Sequence, residues 1–402
     1  MMSSKLSVIA TILLLMLYTA ADCQTSDAWH PDHFIISFWC GPPAQCVTLE
    51  RYQQITDAGF NTIMPSISPP TPKLNAKILA IAKQAHLKVF IQDSRMPTSL
   101  NSPNARKHLD AIVADYSSSP ALAGYFLFDE PQPSAFAGLG QVVKYLRQKD
   151  PKHPAFINLL PNCSSGGTPM RNYPHYVSSY IDTVHPSFIS YDHYHFLKTG
   201  DGPFYLQNLQ TIHDISIEND LSFLNIVLVT QHKNYRKLTE AEKRYEAMQT
   251  VAFGAHGLLW FTYWQPDPSG YWGDAIINFD GTPTAQYAQV RRINHDLSAL
   301  GNALLHADLI KCWTDKPPAK VVTISNAKVH WTVSLFQENQ MRYLFLANQD
   351  YRHAASSDLV IPTGGAALQQ LNLKTGKFIP AKSNHLELGP AEAALYRWTQ
   401  KE

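Results

Sequence analysis

Between residues 34 and about 306, short runs rich in β-branched and aromatic residues alternate with stretches whose apolar residues recur every three or four positions. The runs are FIISFW (34–39), NTIMPS (61–66), KVFIQD (88–93), LAGYFLFDE (122–130), AFINLLP (155–161), FISYDHY (188–194), NIVLVTQ (225–231) and GLLWFTYW (257–264). The helical stretches between them include TLERYQQITDAGF and LNAKILAIAKQAH. Runs that are apolar at nearly every residue and separated by helices belong to parallel strands covered on both faces.

Eight such units in roughly 270 residues fit a (β/α)8 TIM barrel better than an open doubly wound sheet. No G-x-G-x-x-G or Walker pattern follows any of the runs, so a dinucleotide or nucleoside triphosphate function lacks its usual mark. After AQYAQVRRINHDLSALGNALLH the pattern changes to short alternating segments such as VHWTVSLFQ and MRYLFLAN. The expected architecture is α/β: a barrel over 24–306 and a small, sandwich-like all-β domain over 307–402.

The first residues, MMSSKLSVIATILLLMLYTAADCQ, carry one Lys, an apolar stretch and then small residues. They read as a signal peptide over 1–23, which implies a secreted or periplasmic protein. Lipoprotein anchoring through Cys23 is the weaker alternative, because Asp22 is atypical for that signal. No other segment is long and apolar enough to span a bilayer. Cys40, Cys46, Cys163 and Cys312 remain, and spacing makes Cys40 with Cys46 the candidate local bridge. A net charge of +1 without polybasic runs gives nucleic acid nothing to bind.

A barrel of this kind builds its active site at the carboxyl ends of its strands. Those ends hold Trp39, Ser66, Gln92, Asp93, Asp129, Glu130, Asn158, Tyr191, Asp192, His193, Tyr194, Gln231, His232, Trp260, Tyr263 and Trp264. Carboxylates, amides and indole rings converging on one mouth suit a carbohydrate, whose apolar faces stack on rings while its hydroxyls take polar groups. The loop QPDPSGYWGDA adds Tyr271 and Trp272 to the same rim. His193 and His195 lack a third ligand at a recognisable spacing, so they read as hydrogen-bonding residues and no metal or other cofactor is expected. The Asp129–Glu130 pair could cap the helix starting near Pro133, but two acids exceed what one cap needs.

On Glu130 after FLFD and on WFTYW at the eighth strand, the barrel resembles clan A glycoside hydrolases. The resemblance implies that Glu130 is the general acid and that Trp260 is a platform beneath the sugar. Two residues depart from that family: Asp129 stands where Asn is usual, and Gln231 and His232 stand where a nucleophilic Glu is usual. Glu240 and Glu242 read instead as a helix start, with Thr239 as cap and Glu242 completing a capping box. Three readings follow. Glu130 and Asp192 could form an inverting pair, which needs roughly 6.5–9.5 Å between them. The adjacent acids also resemble substrate-assisted N-acetylhexosaminidases, with Asp129 orienting the acetamido group and Tyr191 or Tyr194 bonding its oxygen. The third reading is a carbohydrate-binding barrel without turnover, and an adhesion scaffold is a more distant alternative. Trp313, Trp331 and Trp398 of the β domain read as core before sugar contacts.

Overall fold

The structure, a computed structural model, describes residues 28–64, 70–163 and 170–400. The leader, Cys23 and Ser66 lie outside the described residues. Six strands come first: β1 (Ile35–Trp39), β2 (Thr62–Ile63), β3 (Lys88–Ile91), β4 (Leu122–Asp129), β5 (Ala155–Leu159) and β6 (Ile189–Asp192). A small hairpin, β7 (Phe196–Leu197) and β8 (Gly200–Asp201), precedes β9 (Phe223–Leu228) and β10 (Gly257–Phe261). Apart from the hairpin these strands form one parallel sheet in the order β1-β10-β9-β6-β5-β4-β3-β2. Helices connect them: α1 (Leu49–Asp57), α2 (Pro72–Gln84), α3 (Ala105–Tyr116), α4 (Phe136–Lys149), α5 (Tyr173–Val184), α6 (Tyr205–Glu218), α7 (Glu240–Ala252) and α8 (Ala285–Leu304). The α7 start carries the expected capping box between Thr239 and Glu242.

One asparagine closes the seam between β1 and β2. Asn61 donates its backbone N–H to the Ile36 carbonyl at 3.1 Å, accepts from the Ile36 N–H on Oδ1 at 3.0 Å, and donates from Nδ2 to the Phe34 carbonyl at 2.8 Å. Its side chain thus substitutes for ladder bonds where the strands diverge.

Alternation along the strands separates two apolar layers. Ile35, Phe90, Phe126, Phe156, Phe188, Leu224, Ile226 and Leu259 fill the barrel interior. Phe38, Ile91, Tyr125, Tyr191, Val227 and Trp260 face the helices. The interior rings touch at 5.0 Å (Phe90–Phe156), 5.4 Å (Phe156–Phe188) and 5.9 Å (Phe126–Phe156). Edge and tilted pairs of this kind each add about 0.5–1.5 kcal/mol beyond area burial, and they plug the barrel beneath its mouth.

Among the described residues nine further strands follow: β11 (Asp308–Trp313), β12 (Thr323–Ile324), β13 (Trp331–Glu338), β14 (Met341–Asn348), β15 (Ala355–Val360), β16 (Gln369–Asn372), β17 (Lys377–Pro380), β18 (His385–Leu388) and β19 (Ala393–Thr399). They form a six-stranded sheet, β11-β13-β14-β19-β16-β17, and a three-stranded one, β12-β15-β18. Phe336, Phe345 and Leu395 of the larger sheet join the barrel's outer core, while Trp331, Leu344, Tyr396 and Trp398 pack under the smaller sheet. Thr332 Oγ1 donates to Gln249 Oε1 at 2.7 Å and Ser334 Oγ donates to the Ala252 carbonyl at 2.7 Å, fastening the sheet to α7. Among the described residues no disulfide forms: Cys40, Cys46, Cys163 and Cys312 are free thiols, so the candidate Cys40–Cys46 bridge is not made.

Replacing the seam residue, Asn61→Ala, leaves the Ile36 N–H and the Phe34 carbonyl without their partner and is expected to cost about 2 kcal/mol or more. Thermal or urea unfolding checks this; an unchanged midpoint would show that the seam closes without it.

Candidate active site

The carboxyl ends of β4, β5 and β6 bring three acids around one amide. In β4 the register slips between Phe126 and Phe128, so that Phe126 pairs with Phe156, Phe128 with Ile157 and Asp129 with Asn158. Strict alternation from the inward Phe126 would point Phe128 into the barrel and Asp129 out of it. The extra residue reverses that, which is how a bulge re-aims a side chain. Asn158 then donates from Nδ2 to Asp129 Oδ1 at 3.1 Å and to Asp192 Oδ1 at 3.0 Å, while its Oδ1 accepts from Ser190 Oγ at 3.0 Å. Both amide hydrogens are used, so Asn158, expected as a substrate contact, instead holds two carboxyl groups in place.

Glu130 follows in the left-handed region, at φ 49°, with its N–H donated to the Asn158 carbonyl at 2.8 Å. A non-glycine residue is rarely found there, and such backbones gather at functional sites. The Glu130 and Asp192 carboxyls lie close enough to act on one another's ionisation. Neither acid caps the following helix: the short 3-10 turn Pro133–Ala135 and α4 both start without a side-chain cap bond.

Asp129 and Glu130 are reachable by solvent, whereas Asp192 is buried. Even so, the surrounding wall makes desolvation the first cause acting on each. Burial and then the Glu130 and Asp129 charges push Asp192 well above the ordinary carboxylate range, against the Asn158 bond. Burial and then Asp129 raise Glu130, opposed by the Lys233 charge and more weakly by Asp192. Burial raises Asp129, opposed by Asn158. Like charges in one site oppose one another's ionisation, so burial and mutual repulsion both favour the protonated form within the cluster.

Aromatic residues gather at the same strand ends, from β10 and from the loops after β6, β9 and β10. Tyr194, on the loop after β6, lies 5.3 Å from Phe261, 5.8 Å from His232 and 5.1 Å from Tyr235. His232 lies 4.9 Å from Trp272, whose Nε1–H donates to Asp267 Oδ2 at 2.9 Å, and Tyr271 stands half exposed beside it. His232 Nδ1 meets the Thr230 carbonyl at 2.8 Å and must donate to it, which leaves Nε2 as an acceptor. Burial lowers the pKa of this imidazole, with the Thr230 bond opposing. Trp39 is half-buried on the inner wall, 5.3 Å from Phe126, beneath the acids. Gln231 is half-buried, and its carbonyl accepts from the Gly273 N–H at 2.8 Å, tying the Trp272 loop to the end of β9.

Four expected contacts face elsewhere. Trp260 is fully buried on the outer face of β10, donating Nε1–H to Asn294 Oδ1 of α8 at 2.8 Å, so it is not a sugar platform. Its neighbour Phe261 takes the inward position. Tyr191, between the inward Ser190 and Asp192, is buried against the helices. Tyr263 stacks on Phe38 at 4.4 Å in the same layer. Trp264 is buried with Arg51 over its ring at 5.7 Å, and its Nε1–H donates to the Phe279 carbonyl at 3.3 Å. Asp93 is likewise taken up, in an ion pair with Arg95 at 2.9 Å. Phe261, Lys233 and Tyr235 were missed by sequence reasoning. Phe261 alone had a signal, the two-residue alternation beside Trp260. Among the described residues no group of three His, Cys, Asp or Glu side chains is placed to hold a metal.

No protein-family model matches the sequence, and no match was found among curated proteins. Solved structures similar to this chain include one titled glycoside hydrolase, at 13% identity and TM-score 0.58, covering 92% of this chain and 93% of the other. Another is a glycoside hydrolase family 5 protein from Bacteroides vulgatus ATCC 8482, at 12% identity and TM-score 0.57, covering 91% and 89%. A third, β-galactosidase from the psychrophilic Marinomonas ef1, has 12% identity and TM-score 0.51, covering 67% of this chain and 60% of its own. At these identities the likeness establishes the fold: a TIM barrel followed by a β domain.

The raised acids give a stability prediction with a definite sign. A carboxyl whose folded pKa lies above its unfolded value costs nothing below the unfolded value, near pH 4, and destabilises increasingly as pH rises through the folded one. Asp192→Asn is therefore expected to raise the thermal midpoint by about 2 °C or more at pH 7 and by nothing at pH 4. A gain equal at both pH values would contradict the shift.

Proposed function

We propose that this protein hydrolyses a glycosidic bond, with Glu130 as the general acid. The observation that carries this reading is the three-acid cluster around Asn158, opposite a wall of Tyr194, Tyr235, Phe261 and Trp272. An acid held partly protonated by its surroundings and open to solvent can deliver a proton to a leaving oxygen. Rings on the facing wall can take the apolar face of a sugar. The fold likeness to glycoside hydrolases is consistent with this, and export from the cell, carried by the leader alone, is part of the same proposal.

Among the mechanisms open to such a site, the geometry favours participation by a 2-acetamido group of the substrate. Asp192 is buried, so it is not open to the water that an inverting pair of Glu130 and Asp192 would have to activate. The end of β9 offers Gln231 and His232, neither a carboxylate nucleophile. Asp129, fixed by Asn158, is free on its other oxygen to orient an acetamido N–H. The acetamido oxygen would then attack the anomeric carbon as Glu130 protonates the leaving oxygen. Tyr194, on the loop after β6 and 5.3 Å from Phe261, is the hydroxyl assigned to bond that oxygen. Burial and the neighbouring Asp129 charge keep the proton on Glu130.

Glu130→Gln is expected to lower kcat on aryl 2-acetamido-glycosides by about 10²–10⁴-fold without changing the unfolding midpoint by more than a degree or two. The same assay on aryl glycosides bearing a 2-hydroxyl should show little turnover in either form. Wild-type turnover by the variant would remove Glu130 from the mechanism, and equal rates on both substrate sets would remove the acetamido group from it.

A further inference from the structure

Beside the carboxylates the structure brings together Cys163, His193 and Asn208, none of which the glycosidase mechanism uses. Cys163 lies just beyond β5 and is half-buried; His193 follows Asp192 and is buried; Asn208 is buried in the first turn of α6. Cys163 Sγ is 3.8 Å from His193 Nε2, and His193 Nδ1 is 2.9 Å from Asn208 Oδ1. The same Asn208 oxygen accepts the Asn162 backbone N–H at 2.8 Å, which fixes the orientation of the amide. An oxygen facing Nδ1 requires the ring proton on Nδ1, so Nε2 turns its lone pair to the thiol. A thiol facing a ring nitrogen, with the other ring nitrogen held by a third group, has the geometry of an activatable nucleophile.

Burial followed by the Asp192 charge pushes Cys163 up to about 11, and burial holds His193 down at about 4. The pair therefore rests as neutral thiol and neutral imidazole. His193 can act as a base only as the bond to sulfur forms, which keeps the thiol unreactive until an electrophile is seated. Cys163 follows β5 and His193 follows β6, so the pair sits at the same end of the barrel as Asn158 and Asp192.

We propose that Cys163, with His193 as base and Asn208 as orienting residue, removes an acyl group esterified to the sugar bound at this mouth. The choice of a sugar ester rests on the glycosidase reading; the thiol relay does not. Sγ attacks the ester carbonyl carbon while its proton passes to His193 Nε2. The carbon–oxygen bond to the sugar then breaks, and the departing alkoxide takes that proton. Water, giving a proton to Nε2, cleaves the thioester; the carboxylic acid leaves and the thiol regains its hydrogen. No oxidant, reductant or second substrate other than water enters the balance.

The test uses p-nitrophenyl acetate with wild type, Cys163→Ala and Cys46→Ala, the last replacing another half-buried thiol, with circular dichroism to verify folding. Hydrolysis above buffer is expected for wild type and Cys46→Ala, with a loss of about 100-fold or more in Cys163→Ala. Acid-quenched wild type should carry an acetyl group on Cys163 by peptide mass spectrometry, a readout that stands even if Cys163→Ala does not fold. Full activity in Cys163→Ala, an acetyl group placed elsewhere, or no hydrolysis above buffer would overturn the relay. Aryl glycoside turnover in the same samples separates the claims: esterase without glycosidase defeats the glycosidase reading, and the reverse defeats the relay.

Discussion

The amide of Asn158 is the contact on which the site depends. A single Nδ2 group donates to Asp129 and Asp192, and Ser190 fixes the amide from below, so strands β4, β5 and β6 are registered to one another at their ends. Two carboxyls held on one amide, with Glu130 beside them, repel one another when charged. The protein tolerates that unfavourable arrangement because the barrel beneath it is rigid. Four interlocked Phe rings and Trp39 fill the interior under the acids, and a packed interior of this kind resists the collapse that would let the acids separate.

Division of labour between the two faces of the strands explains which aromatic residues face the mouth. Trp260, Tyr191 and Tyr263 belong to the layer between strands and helices, where Trp260 spends its indole N–H on Asn294. The rings gathered at the mouth come mainly from loops: Tyr194 after β6, Tyr235 after β9 and Trp272 after β10, joined by Phe261 from the strand itself. Loops can be re-aimed without disturbing the core, which is why specificity in such barrels resides there. The β domain serves a different end in this arrangement. Its larger sheet is covered on both sides, by α7 and by the smaller sheet, and Trp331 and Trp398 are core residues.

The fold, and with it the strand ends where the candidate site was sought, was legible in the sequence because hydrophobic periodicity reports burial directly. All eight runs are strands of the barrel, each within a few residues of its expected ends, and the change of pattern after residue 306 marks the β domain's strands. Side-chain direction was legible in part. An inward Asp192 already implies an outward Tyr191 by alternation, and Phe261 and Trp260 cannot both face the mouth. The bulge in β4 has no such signal: nothing in LAGYFLFDE announces the extra residue that turns Asp129 inward. Nor could spacing foresee that Asn158 spends its amide on two acids, since that depends on three strands remote in sequence.

The central claim is that the substrate's own acetamido group, and not a carboxylate acting through water, attacks the anomeric carbon. Stereochemistry tests it most directly. An aryl 2-acetamido-glycoside is hydrolysed in an NMR tube and the first anomer released is read from its proton coupling before mutarotation. The account requires retention, since attack by the acetamido oxygen and then by water inverts the centre twice. Release of the inverted anomer would contradict it and return Asp192 to the role of base.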